Sequence, residues 1–127
     1  MHPIAEAAAV IAAAIHAWFF LMESVWFMRP SVWGRFGISS AEDAATVRSF
    51  AYNQGFYNLF LAVGVGIGVV LIAMGAIEAG RAITLFACAS MAAAGVILYL
   101  YDRSFLRAAA IQAIPPLAAI LVAVLLR

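Results

Sequence analysis

Four apolar stretches, each long enough to cross a bilayer, decide what this chain can fold into. They run from about Ile4 to Met28, Phe50 to Ile77, Ala82 to Tyr101 and Phe105 to Leu126. A helix spanning the hydrocarbon needs roughly 20 consecutive apolar residues. In lipid every backbone N–H and C=O must be paired within the protein, which selects helices over open strands. Of the 127 residues, 68% are hydrophobic and 10% charged. Soluble domains carry about 25% charged residues, so this chain has too few charges to coat a globule in water. The sequence predicts an all-α integral membrane protein, a single transmembrane domain over residues 1–127, with the lipid bilayer as its principal partner.

Other classes fall on the same figures. Disordered chains are polar and rich in charge. Nucleic-acid binding needs a basic face, whereas the net charge here is +1, there is no Lys, and the arginines are dispersed. Cys88 is the only cysteine and lies within an apolar stretch, which excludes a disulfide scaffold. Met1-His2-Pro3 has no basic region, and the apolar run after it outlasts that of a signal peptide.

The connectors predict topology. Glu78–Arg81 and Asp102–Ser104 read as tight hairpins and residues 29–49 as a loop, giving a four-helix up-down bundle. Ser39-x-x-Glu42 and Ser40-x-x-Asp43 resemble capping boxes, so a helix is expected to start near Ser40, with Ala41–Ser49 an interfacial turn before the second span. Trp26, Trp33 and Phe36 sit where an aromatic belt would lie. Gly64-x-x-x-Gly68 lacks the context of a phosphate loop and reads as a close-packing face for another helix, which in a homo-oligomer would belong to a second copy. Pro115-Pro116 is expected to interrupt the fourth span and free the carbonyls of Ile111 and Gln112. Arg29, Arg35, Arg48, Arg103 and Arg107 lie on one side and Arg81 and Arg127 on the other. The positive-inside rule then places both termini outside and the loop 29–49 in the cytoplasm.

Polar groups are costly in a bilayer core, so those present there are informative. Glu23 closes span one. Asn53, Gln54, Tyr57 and Asn58 open span two, Tyr99, Tyr101 and Asp102 close span three, and Gln112 lies early in span four. An up-down bundle brings all of them to one half of the membrane. His16 and Glu23 are seven residues apart, two turns along one face of a regular helix and roughly 10 Å along its axis. Each has a plainer role open to it: Asn and Gln can simply join helices, Glu23 can pair with Arg29 or Arg103, His16 can be a buried neutral donor, and Asp102 can lie in a solvated turn beside Arg103. His16 and Glu23 are too few ligands, and too far apart, for a metal site, and neither haem nor any other cofactor is indicated.

The run Asn53-Gln54-Gly55-Phe56-Tyr57-Asn58, followed by Leu59-Phe60-Leu61-Ala62, resembles the signature of a bacterial family of small four-span membrane proteins, known only as domain of unknown function 1304. The His16…Glu23 spacing is similar to that family as well. The resemblance covers nearly the whole chain. It implies the four-helix membrane fold, a bacterial inner-membrane location, and a polar site of His16, Glu23, Asn53, Gln54, Tyr57 and Asn58. It carries no reaction.

Three roles fit these residues. The first is an acid/base enzyme for a small lipophilic substrate (isomerase, cyclase or epoxide-opening), with Glu23 as acid or base and His16 or Asp102 as its counterpart. Asn53, Gln54, Tyr57, Asn58 and Gln112 would then hold the substrate. The second is a ligand binder or small proton-coupled transporter with Glu23 as the protonatable group, the transporter joined to a second copy through the Gly64/Gly68 face. The third is an accessory subunit of a membrane complex, in which the polar cluster only joins helices.

Overall fold

The computed structural model describes residues 1–126; Arg127, counted above with Arg81, lies outside the described residues. Helix α1 (Pro3–Phe20) runs on into one wide turn (Leu21–Val25), and a short helix α2 (Pro30–Trp33) follows. The long helices α3 (Ala41–Ala73), α4 (Ile77–Tyr101) and α5 (Leu106–Leu125) complete the chain, and the described residues include no strand. Four segments are long and apolar enough to cross a membrane: Pro3–Val25, Ala41–Ala73, Ile77–Tyr101 and Arg103–Leu125. The expected all-α fold of four packed apolar helices is the one that forms.

The helix ends differ from the sequence reading in instructive ways. Ser40 caps α3 as its box predicts: the Asp43 N–H donates to Ser40 Oγ at 3.1 Å, and that hydroxyl donates to Asp43 Oδ2 at 2.8 Å. From there α3 continues for 33 residues without a break. Ala41–Ser49 is therefore not a separate interfacial turn, because it contains no Gly or Pro and is rich in good helix formers. Likewise α4 starts at Ile77, so Glu78–Arg81 is its first turn and not a hairpin. The reversal falls at Met74–Ala76. Gly75 has φ 90°, its N–H bonds Ile72 O at 3.0 Å, and the Ala76 N–H bonds Leu71 O at 2.9 Å. This paired closure is the usual end of a helix on a left-handed glycine.

The chain packs as two compact units. One comprises Met1–Ile15 and the chain from Leu61 onward. Its core is built from small and flexible side chains of all four long helices: Ala9 and Ala12 of α1, Val65 of α3, Ala87, Cys88 and Met91 of α4, and Ala119 of α5. Small residues let membrane helices approach closely, where dispersion can act. Gly68 of α3 is the extreme case, since a Cβ there would fall on the Thr84 hydroxyl and lie 2.7 Å from Gly80 O. A Cβ on Gly80 would in turn meet the Ile72 backbone N at 2.8 Å. The close-packing face read in the sequence thus serves α4 of the same chain. Val10, Ile11, Phe86, Ile97 and Leu121 are exposed, as lipid-facing side chains are.

The paired prolines do not interrupt α5, which stays helical from Leu106 to Leu125 with Pro116 buried. At its far end the Arg81 guanidinium donates to Ala123 O at 2.9 Å, placing a cation where the last carbonyls lack helical partners. The second unit, His16–Phe60, holds the end of span one, α2 and the first half of α3.

Candidate functional site

Within the second unit the helical hydrogen-bond pattern changes at Leu21. The Trp26 N–H bonds Leu21 O at 2.8 Å, five residues back instead of four. Such single π-turns recur at functional sites because the surplus residue is pushed out of the regular helix. Here the wide turn carries Glu23 and Ser24, and no Gly or Pro lies within it to account for the change.

Helix α3 supplies what holds the turn. Ser24 Oγ donates to Tyr52 O at 2.7 Å. Gly55 is buried directly beneath: a Cβ there would fall on Ser24 Oγ and sit 3.1 Å from Glu23 Cβ. Asn58 Nδ2 donates to Glu23 Oε2 at 2.7 Å, with Asn58 only 5% exposed. Positions 52, 55 and 58 are three apart and share one helix face, so a single stripe of α3 fixes the carboxylate. Ser24 and Gly55 were not singled out from the sequence as part of the site. The glycine embedded between Gln54 and Phe56 was the available signal, because a glycine inside a helix usually marks a close approach.

Beside the turn lies an open cleft of about 410 Å³. Its polar lining is Glu23, Asn53 and Gln54; its apolar lining is Phe27, Phe36, Ile38, Val47, Phe50 and Ala51. That volume falls within the roughly 300–1,000 Å³ of small-molecule sites. Phe36 and Ile38 come from the connector after α2, where the sequence suggested only belt anchoring. Phe27 and Phe36 pack ring against ring at 5.8 Å.

The remaining candidates lie elsewhere. His16 is 0% exposed, with its ring edge-on to Phe19 at 5.3 Å, and does not line the cleft. The two-turn spacing to Glu23 presumes a uniform helix, and the π-turn breaks that uniformity. Tyr57 is 57% exposed, packs against Phe60 at 6.3 Å and also lies outside the lining. Asp102 and Gln112 belong to the other unit. Asp102 is exposed and caps its own turn: its Oδ1 accepts the Ser104 N–H at 2.8 Å. Hydrogen bonds from the Ser104 side chain and then its backbone hold the Asp102 carboxyl below the ordinary carboxylate value. Gln112 is half-buried on α5. Among the described residues no three His, Cys, Asp or Glu side chains are grouped to hold a metal ion.

No curated protein and no solved structure matches the chain. The family comparison is positive: residues 10–124 match the model of the proteins of unknown function DUF1304, a stretch that takes in the π-turn, the cleft and most of the four long helices, and the chain belongs to that family.

Proposed function

We propose that this membrane protein takes a small lipophilic molecule into the cleft beside the π-turn and handles it through Glu23, the one protonatable carboxyl there. The observation that carries this reading is the immobilised Glu23: Asn58 fixes one carboxylate oxygen, and the residue lines a cleft otherwise walled largely by phenyl and aliphatic groups. A helix that only needed joining to its neighbour would not require a π-turn, a buried glycine and a cleft together. The orientation that goes with this reading has both termini outside and residues 29–49 in the cytoplasm, following the arginine distribution.

Acid/base conversion of the bound molecule is the second reading. One carboxyl suffices for a double-bond shift, since it can give a proton to one carbon and recover one from another, leaving the enzyme unchanged. Favouring simple binding, neither His16 nor Asp102 lines the cleft as a partner.

Protein in nanodiscs and its Glu23→Gln variant, extracted with organic solvent and examined by mass spectrometry, test the proposal. A lipophile enriched in the wild type and depleted in the variant is expected. Conversion would show instead as accumulation of an unconverted molecule in the variant. Identical extracts containing only bulk lipid would overturn the reading.

A further inference from the structure

We infer that the cleft selects a lipophilic cation, an ammonium group on a hydrocarbon body, over neutral or acidic amphiphiles of the same size. This rests on the ligand-site reading above and adds the sign of the ligand's charge. Glu23 is the single ionisable residue of the lining, and no basic residue shares the cleft with it. Of the neighbouring arginines, Arg29 lies over the Trp26 ring at 5.1 Å, and neither Arg35 nor Arg48 lines the cleft. A phosphate or carboxylate head would therefore meet a like charge with nothing to neutralise it.

The uncharged lining points the same way. The Asn53 and Gln54 side chains make no hydrogen bond within the chain among the described residues, so both side-chain carbonyls can accept from an ammonium N–H. Their amide groups alone do not discriminate by charge; the carboxylate beside them does. Phe27, Phe36 and Phe50 supply hydrocarbon contact and electron-rich ring faces, which attract cations where water is scarce.

Octylammonium, octanol and octanoate share one tail and differ in head charge. Their binding to the full chain in neutral phosphatidylcholine nanodiscs at about pH 8.5, where octylammonium is still protonated and octanoate ionised, measured by calorimetry against empty discs, separates the alternatives. Octylammonium should bind saturably and at least about tenfold tighter than octanol, with octanoate weakest. Glu23→Gln should reduce that preference to near unity. Asn53→Arg, at an exposed position, should likewise remove the preference by placing a neutralising cation beside Glu23, and this second variant keeps the test decisive if Glu23→Gln fails to fold. Equal binding of octanol and octylammonium, or a preference for octanoate, overturns the charge selection while leaving a ligand site. No saturable binding of any of the three overturns the ligand site itself.

Discussion

The Asn58 side-chain amide donates to the Glu23 carboxylate at 2.7 Å, linking residues 35 positions apart in sequence. Each group would otherwise be left without this partner inside a membrane span. Replacing Asn58 by Ala should destabilise the fold by about 0.5–2 kcal/mol, the range for hydrogen bonds between membrane helices. Glu23→Gln keeps a carbonyl acceptor and should cost less. Equilibrium unfolding in mixed micelles measures both, and the double variant should be less destabilised than the sum of the singles. Strict additivity would mean that the two side chains are not coupled.

Gly55 is where α3 admits the wide turn. Gly55→Ala places a methyl on the Ser24 hydroxyl, and overpacking of this kind costs about 1–3 kcal/mol. Ser24→Ala combined with it should recover part of that loss by clearing the hydroxyl. Unfolding midpoints of the three variants decide the matter; no recovery would locate the clash at the Ser24 backbone, where the added Cβ lies 3.0 Å from the amide nitrogen.

Two glycines of the apolar half should respond in opposite directions. Gly80→Ala drives a methyl into the backbone of Ile72 and against Gly68 O, so α3 and α4 must separate. Gly66→Ala meets nothing within 4 Å. It should be neutral or stabilise α3 by up to about 1 kcal/mol, the helix-propensity difference between Gly and Ala. Thermal unfolding in detergent ranks them, and a Gly66 variant as damaged as the Gly80 variant would show that the outer face of α3 is packed against something.

Asp102 makes the α4–α5 connector sensitive to acid. Its folded value lies below the ordinary one because the ionised form accepts hydrogen bonds from Ser104. A carboxyl with a lowered folded value contributes its stability above the unfolded value, and loses it as pH falls through the folded one. Protection of the Ser104 amide from hydrogen exchange should therefore decline in that acidic window. Asp102→Asn should remove the pH dependence. A pH-independent Ser104 amide in the wild type would refute the assignment.

Much of this architecture was legible because lipid enforces it. Apolar runs of the right length can only be helices, and the Ser40 box marks the start of α3 correctly. The start of α4 at Ile77, and the continuity of Ala41–Ser49 with the rest of α3, escape a hydropathy reading because hydropathy reports where hydrocarbon begins, whereas helices continue until a Gly75 or a cap stops them. The polar run on α3 was visible, but not its division: Gly55 and Asn58 turn inward, Asn53 and Gln54 line the cleft, and Tyr57 is exposed. His16 was grouped with Glu23 on the assumption of an unbroken helical step. No residue between Leu21 and Val25 announces a π-turn, and the contacts of Ser24 and Glu23 with α3 exist only in the folded chain.

Helix α3 measures about 50 Å at 1.5 Å per residue, against a hydrocarbon thickness of about 30 Å. The excess of about 20 Å must either tilt the helix or stand clear of the hydrocarbon. Glu42, Asp43 and Arg48 all lie in its first turns, so the Ser40-capped end is the one suited to leave the lipid.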